Sequence, residues 1–185
     1  MEVETILAID PSSHTRIVLT DRTTLEYSHH LGIDVTKLEG NILDLGTGQT
    51  PITTCGQLFR TTLNIEGVSS DGGVVIADGL ALPYPSKLFN TALCLWSVPY
   101  HFKSKVGSEE RMQKTAELTH ELYRVLCEGG TAYLYPVIED DFRVITSFSE
   151  FFDIKSTFLH RIRFEVVDKD RGVYRMALTK RNRLI

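Results

Sequence analysis

Two glycines one residue apart, Gly46 and Gly48, are the residues whose type and spacing point most clearly to chemistry in this chain. They follow Ile42-Leu43-Asp44 as a tight turn follows a buried parallel strand. Glycine adopts left-handed backbone conformations and lets a ligand approach main-chain atoms closely. A helix beginning near Pro51 would direct free N–H groups and its positive dipole end at that ligand. The pattern predicts a polar, nucleotide-like ligand, with a purely structural turn as the alternative.

A second group of candidate residues lies in residues 96–102, after the apolar run 91–96. His101 could act as a general base near neutral pH, and Tyr100 could orient a substrate, so these two are the candidate catalytic residues. An exposed loop histidine without a catalytic role is the alternative. Three side chains near the N-terminus could close over the same site or lie on an ordinary helix surface: Tyr27, His29 and His30.

The composition is that of a soluble, single-domain globular protein. Of its 185 residues, 42% are hydrophobic and 24% are charged, which allows a substantial core. No apolar stretch approaches the ~20 residues that span a bilayer, and the acidic N-terminus is unlike a signal peptide. The three cysteines, Cys55, Cys94 and Cys127, are far apart and odd in number, which indicates buried free thiols. We therefore expect a cytoplasmic protein that does not contact membranes.

Charge is unevenly distributed along the chain. The net charge is −4, yet the segment from Lys155 to the C-terminus carries nine Lys or Arg against three Asp or Glu. Such a basic segment could meet phosphate or nucleic acid. Its alternating pattern favours a solvated hairpin with charged outer faces instead. We therefore do not expect a nucleic acid as partner, and the sequence shows no cluster of metal ligands at a recognisable spacing.

The predicted elements alternate between strands and helices. Strands are predicted around the glycine turn and at residues 74–77, 91–96, 131–138, 153–159, 161–167 and 173–179, and helices at residues 21–31, 52–62, 108–126 and 140–152. Asp21 is the predicted N-cap of the first helix and Gly32 its end, and the third helix should bury an apolar stripe from Met112. Residues 168–172 are a predicted turn. The alternation predicts an α/β fold with a mostly parallel sheet covered on both faces.

Three blocks of sequence, in this order, resemble the class I S-adenosylmethionine-dependent methyltransferases. They are Ile-Leu-Asp-Leu-Gly-Thr-Gly at residues 42–48, a block at 77–97 that begins Ala-Asp-Gly-Leu-Ala-Leu-Pro-Tyr, and His-Glu-Leu-Tyr-Arg-Val-Leu-Cys-Glu-Gly-Gly at 120–130. The resemblance spans about residues 34–180. It implies a Rossmann-like, doubly wound sheet in a three-layer α-β-α arrangement, with an antiparallel C-terminal strand.

The resemblance implies S-adenosylmethionine as the cofactor and assigns residues to its methionine end. Gly46, Thr47 and Gly48 would line the methionine part. Asp44 would orient the glycine turn or meet the amino group. Ser97 follows the fourth strand, where a backbone carbonyl and a side chain usually meet the cofactor.

The resemblance also assigns residues to the adenosine end. Asp78 would accept a hydrogen bond from the adenine amine, with Gly79 and Leu80 along the ring edge; a simple turn acid is the alternative for Asp78. The family usually places an acid on the ribose hydroxyls at the end of the second strand. Glu66 has about the right spacing for that acid, although alignment with the family pattern puts Ser69 there.

The chain departs from the family pattern between the second and third strands. Only residues 70–73 separate the predicted second strand from the third, which is too short for a parallel crossover. We therefore expect either that residues 63–68 pair antiparallel with residues 74–77 or that one strand is lost. Asn90 also replaces the usual aspartate of its block, and Glu128 replaces a proline.

The sequence thus predicts an N-terminal cap, residues 1–40, and a methyltransferase-like domain, residues 41–185. The expected activity is methyl transfer to an unidentified small molecule; the alternative is a methyltransferase-like protein that binds or regulates without catalysis. A nicotinamide dehydrogenase fits poorly because the third glycine of its motif is absent. The substrate pocket must come from the first 40 residues, residues 98–107 and, in a homodimer, a second subunit.

Overall fold

Seven strands and three α-helices occur in the residues that the computed structural model describes, which are 23–47, 51–63, 74–102, 107–164 and 169–182. The strands are β1 (Asn41–Leu45), β2 (Gln57–Leu63), β3 (Val74–Ala77), β4 (Phe89–Leu95), β5 (Leu126–Ile138), β6 (Phe152–Phe164) and β7 (Lys169–Lys180). The helices are α1 (Thr24–Leu31), α2 (Glu109–Val125) and α3 (Glu139–Thr146), and a short 3-10 turn spans Val35–Lys37.

The strands form one sheet in the order β3-β2-β1-β4-β5-β7-β6. Neighbours from β3 to β5 are parallel, whereas β7 is antiparallel to both β5 and β6. The predicted mostly parallel sheet with a reversed last strand is therefore confirmed. The strand order reverses between β1 and β4, and in open α/β sheets ligands bind outside the carboxyl ends of the strands at such a point.

Helices cover both faces of the central strands. In β4, Cys94 packs in the cluster that includes residues of α2 and α3, whereas its neighbours Leu93 and Leu95 pack in the cluster that includes α1. Every residue of β4 except Asn90 is buried, which accounts for its continuous apolar sequence. The three-layer arrangement is confirmed.

The N-terminal helix ends where the sequence predicts and begins later than expected. Gly32 closes α1 in the left-handed conformation, with φ +69°. The predicted N-cap, Asp21, lies outside the described residues, and the observed N-cap is Thr23. Its hydroxyl accepts from the backbone of Glu26, whose carboxylate accepts in return from the Thr23 backbone, a reciprocal capping box.

The predicted helix at residues 52–62 is wrong, because most of that segment is strand β2. Residues 51–54 are not helical either, so no helix begins near Pro51. Leu58 and Phe59 explain the error: they satisfy a helical spacing with Ile52, yet they pack on opposite faces of the sheet. Only an extended backbone sends two consecutive side chains to opposite faces.

The expected loss or reversal of the second strand is also wrong. β2 ends at Leu63, and it pairs in parallel with β3 through Arg60–Val74, Thr61–Val75, Thr62–Ile76 and Leu63–Ala77. Because the strand lies earlier in the chain than predicted, the connection to β3 is residues 64–73. The sheet therefore keeps its second strand.

Other predicted elements also differ from the structure. α3 ends at Thr146, and the two extended segments predicted after residue 153 are the single strand β6. Within the predicted turn, residues 169–172 belong to β7, and residue 168 lies outside the described part of the chain. The buried side of α2 begins with Arg111 and Thr115, whereas Met112 is 41% exposed.

The three cysteines are free, as predicted, but they are not all buried. Cys94 is buried in the core, Cys127 is half-buried and Cys55 is exposed. Burial raises the pKa of the Cys94 thiol, which keeps that thiol neutral. None of the helices in the described parts of the chain has the length and hydrophobicity that a bilayer crossing needs.

Candidate cofactor and substrate site

The carboxyl ends of β1 and β4 meet where Gly46 contacts Ser97. Gly46 directly follows β1 and has φ +84°. A Cβ on Gly46 would collide with the Cβ of Ser97, which is the second residue after β4. Glycine is therefore required at position 46 both by the backbone conformation and by the close approach of Ser97.

The amides of the glycine turn are bound to strand β2. The N–H groups of Gly46 and Thr47 both donate to the carbonyl of Thr61, at 2.7 and 3.2 Å. The side chain of Arg60 donates to the Thr47 hydroxyl at 3.3 Å. The turn is thus held against β2, and Gly48 lies outside the described residues.

Asp44 connects the glycine turn to helix α1. Its side chain is 1% exposed, and one carboxylate oxygen accepts a 2.8 Å hydrogen bond from the Tyr27 hydroxyl. Buried carboxylates need such partners, because desolvation strongly disfavours an ionised group. The contact joins α1 to the carboxyl-terminal half of β1.

Ser97 offers a buried hydroxyl without a partner. The residue is 2% exposed, and its Oγ makes no hydrogen bond to any described residue. Its carbonyl accepts from the His101 amide at 2.8 Å, which draws the loop after β4 back over the strand end. A buried polar atom left unsatisfied is uncommon in folded proteins, and such an atom is commonly satisfied by a water or by a ligand group.

Asp78 lies at the carboxyl end of β3, on the same edge of the sheet. It is exposed, and its carboxylate accepts from the Leu80 amide at 2.9 Å, so it stabilises its own turn. Gly79 is buried and Leu80 is half-buried. Because β2 lies between β3 and β1, Asp78 is about 10 Å to the side of Gly46. Glu66, the candidate for the ribose, lies outside the described residues.

Five ring-bearing side chains, here called the ring cluster, contact one another around Trp96, the residue after β4: His30, Trp96, Tyr100, His101 and Tyr135. They come from α1, from the loop after β4 and from β5. The Trp96 ring is nearly perpendicular to Tyr100 and to Tyr135, with centroids 5.5 and 5.3 Å apart. The His101 ring lies 5.2 Å from Tyr100.

Burial raises the pKa of both phenols in the ring cluster, Tyr100 and Tyr135. The guanidinium of Arg111 opposes the rise at Tyr100, and that of Arg175 opposes it at Tyr135. Both phenols are therefore neutral at physiological pH and can donate a hydrogen bond. As neutral phenols, they are poor proton acceptors there.

A buried arginine fixes the loop that carries Tyr100 and His101. Arg111, at the start of α2, donates to the carbonyls of Pro99 and Phe102 at 2.9 and 3.3 Å. It also forms a two-pronged ion pair with Asp141 of α3, at 3.1 and 2.7 Å. Burial raises the pKa of Asp141, opposed by Arg111. The side chains of Arg111 and Asp141 are 3% and 0% exposed, so this charge-assisted pair is shielded from solvent.

The structure brings most of the predicted site residues to one edge of the sheet. Asp44, Gly46, Thr47, Ser97, Tyr100 and His101 lie at the carboxyl ends of β1 and β4. Asp78, Gly79 and Leu80 lie at the end of β3. Sequence reasoning missed Arg111 and Tyr135. Tyr135 could have been found from its position near the end of a predicted strand, whereas Arg111 looks like an ordinary charged residue in the first turn of a helix.

Comparison with known proteins supports the fold through structure. No model of a known protein family matches the sequence, and a search of curated proteins finds no significant relative. Among solved structures, an S-adenosylmethionine-dependent methyltransferase from Methanosarcina mazei aligns with a TM-score of 0.51 and 11% identity, over 80% of this chain and 95% of its own.

This chain has the class I methyltransferase fold. Two further structures align with lower scores. A possible histamine N-methyltransferase from Thermotoga maritima has a TM-score of 0.45 and 11% identity, over 86% of this chain and 89% of its own. A tRNA (m1A58) methyltransferase from Aquifex aeolicus has a TM-score of 0.48 and 14% identity, over 86% of this chain and 68% of its own. For the methyltransferase-like chain itself, the chemistry must be argued from its site residues.

Proposed function

We propose that this chain is an S-adenosylmethionine-dependent methyltransferase that acts on a small molecule. The observation that carries the proposal is the contact between Gly46 and Ser97. It joins the glycine turn after β1 to a buried, unpartnered hydroxyl after β4, at the point where the strand order reverses. This is the position at which open α/β sheets bind nucleotide-like ligands.

The residues at this edge fit the proposed cofactor. The Ser97 hydroxyl would accept or donate a hydrogen bond to the methionine end, next to Gly46 and Thr47. Asp44, two residues before Gly46 in β1, would orient the turn, since the Tyr27 hydroxyl already donates a hydrogen bond to its carboxylate. Asp78, exposed at the end of β3, would accept from the adenine amine, with Gly79 and Leu80 beside the ring.

Bound S-adenosylmethionine supplies a methyl group activated by a positively charged sulfur. The protein's contribution is then to align the acceptor with that group and to exclude water, because alignment alone lowers a barrier by several kcal/mol, roughly 7–11 in the best cases. His101 would take the acceptor proton, and the neutral phenol of Tyr100 would orient the acceptor. Arg111 would act on both through the loop that it holds.

The proposal is tested by measuring the affinity for S-adenosylhomocysteine by calorimetry. We expect micromolar binding to the wild-type chain. Ser97→Ala and Asp78→Asn should each weaken binding about tenfold, the equivalent of one hydrogen bond of ~1.4 kcal/mol. Ser149→Ala and Asp170→Asn change exposed residues of the same types and should bind as the wild type does. No heat of binding, or equal loss in the controls, would refute the proposal.

A binding or regulatory protein without turnover is the second candidate. The amides of Gly46 and Thr47, which a cofactor could have used, both donate to Thr61. Residues 51–56, the described residues before β2, are not helical, so they add no helix dipole. This candidate predicts S-adenosylhomocysteine binding with no methyl transfer from labelled S-adenosylmethionine to an extract of cellular small molecules, and a stable complex recovered from cells.

We further propose a cytoplasmic location and a small-molecule partner in place of a nucleic acid. The N-terminal segment, residues 1–40, would act as a cap. The hydrogen bond from Tyr27 to Asp44 and the stacking of His30 on Tyr135 support this role. A homodimer in which the second subunit completes the pocket remains part of the proposal, and sedimentation velocity measures it directly.

A further inference from the structure

The described part of the glycine turn offers few backbone groups for the negative end of a cofactor. The N–H groups of Gly46 and Thr47 both donate to the carbonyl of Thr61, at 2.7 and 3.2 Å. Residues 51–56 are not helical, so they do not supply the helix N-terminus that commonly binds an anion after such a turn. The methionine end of S-adenosylmethionine carries a carboxylate, which needs positive charge or N–H donors when it leaves water. A cationic side chain close to the turn would meet this need.

Arg60 of β2 is a cationic side chain that reaches the glycine turn. Its Nε donates to the Thr47 hydroxyl at 3.3 Å, and its neighbour Thr61 binds the turn amides. Thr47 is only 3% exposed, whereas Arg60 is half-buried. Part of Arg60 is therefore accessible beside a turn residue that is almost completely buried.

Strand register places Arg60 next to the buried carboxylate of Asp44. The two residues are partners in the parallel pairing of β1 with β2. Partners on neighbouring strands, about 4.8 Å apart, point to the same face of a sheet. Asp44 accepts a hydrogen bond from Tyr27 of α1, so Arg60 lies on the face that α1 covers. An acid and a base side by side at the turn match the opposite charges of an amino acid.

The two charges are not equally accessible to a ligand. Asp44 is 1% exposed and already binds the Tyr27 hydroxyl, which suits it to orient the turn. A guanidinium is always charged and presents five N–H donors in a planar fork, more than one hydroxyl can accept. A carboxylate can accept two of these donors at once, in a short, charge-assisted pair. Arg60 therefore has the chemistry to bind the carboxylate of a ligand that lies against the turn.

We propose that Arg60 is a cofactor-binding residue whose guanidinium pairs with the carboxylate at the methionine end of S-adenosylmethionine. This inference rests on the proposed function and names a residue that determines the selectivity of the cofactor site. The buried Thr47 hydroxyl orients the guanidinium by accepting from its Nε. A purely structural Arg60, which only balances the charge of Asp44, would not distinguish a ligand with a carboxylate from one without it.

The test is calorimetry on the full chain with two ligands that differ in one group. S-adenosylhomocysteine carries the carboxylate, and decarboxylated S-adenosylhomocysteine keeps the adenosine, the sulfur and the amine. We expect the wild-type chain to bind S-adenosylhomocysteine roughly tenfold to a hundredfold more tightly, the range of a hydrogen-bonded charge. Equal affinities of the wild-type chain for the two ligands would overturn the inference.

Substitutions then assign this preference to Arg60. Arg60→Gln removes the charge and should bring the two affinities to within about threefold, by weakening S-adenosylhomocysteine alone. Arg60→Lys keeps the charge without the fork and should show an intermediate preference. Arg181→Gln is the matched control, because the Nε of Arg181 also donates one hydrogen bond, at 2.9 Å to Asp153, just beyond the far end of β7. It should keep the wild-type preference.

The outcomes separate this inference from the proposed function. If Arg60→Gln weakens both ligands equally, Arg60 only supports the turn, and the inference is overturned. Thermal unfolding checks that the variant folds; if it does not, the preferences of the wild type and of Arg60→Lys decide. S-adenosylhomocysteine binding without a preference overturns the inference alone, whereas no binding of either ligand refutes the proposed function as well.

Discussion

At the scale of single residues, the site depends on the close contact between the backbone of Gly46 and the side chain of Ser97. Position 46 requires glycine for two reasons: the backbone has φ +84°, and a side chain there would collide with Ser97. The glycine pattern was readable from the sequence, because a turn after an apolar strand has few other solutions. Its neighbour Ser97 lies 51 positions later, and only the parallel pairing of β1 with β4 brings the two together.

A substitution at Gly46 separates these two requirements. Gly46→Ala should lower the free energy of unfolding by about 2–4 kcal/mol, because the strained backbone and the collision with Ser97 act together. Gly129→Ala is the matched control: its φ is +75°, but the nearest atom to an added Cβ is 3.9 Å away. The free energy of unfolding of Gly129→Ala should fall by only about 1 kcal/mol. Urea denaturation measures both, and equal losses would show that Ser97 does not crowd Gly46.

At the scale of elements, one ion pair joins α2, α3 and the loop after β4. Arg111 and Asp141 each lie in the first turn of a helix, and Thr115 adds a 2.8 Å hydrogen bond to the carboxylate. The pair therefore connects the three elements beside Tyr100 and His101. The predicted apolar stripe of α2 is correct at Thr119 and Leu122, which are buried. It is wrong at Met112, because an ion pair buries the neighbouring Arg111, which periodicity assigns to solvent.

Breaking this pair should destabilise the whole protein. Arg111→Met leaves the Asp141 carboxylate buried without its partner, so we expect a loss of about 3–5 kcal/mol in the free energy of unfolding. Lys114→Met removes an exposed ion pair with Glu110 on the same helix and should cost less than about 1 kcal/mol. Chemical denaturation compares the two variants. Similar small losses would mean that the buried pair is not the anchor of the loop.

At the scale of the whole molecule, the strand order places every proposed site residue of the described chain at one edge of the sheet. Apolar runs predicted β1, β3 and β4 because buried parallel strands need them. β2 was predicted as a helix because its apolar residues fit a helical period as well as the alternating period of a strand. Only the pairing of β2 with β1 and β3 decides between these two conformations. That correction removes the expected gap in the sheet, since β2 reaches Leu63 and pairs in parallel with β3.

The most direct test of the cofactor site uses the single tryptophan of the chain, Trp96, which precedes Ser97. Its fluorescence should change saturably on titration with S-adenosylmethionine, at micromolar concentrations, and should not change with NAD. Binding is then detected at the proposed position and not merely somewhere on the protein. An unchanged emission with S-adenosylmethionine, or an equal response to NAD, would contradict a methyltransferase site at Gly46 and Ser97.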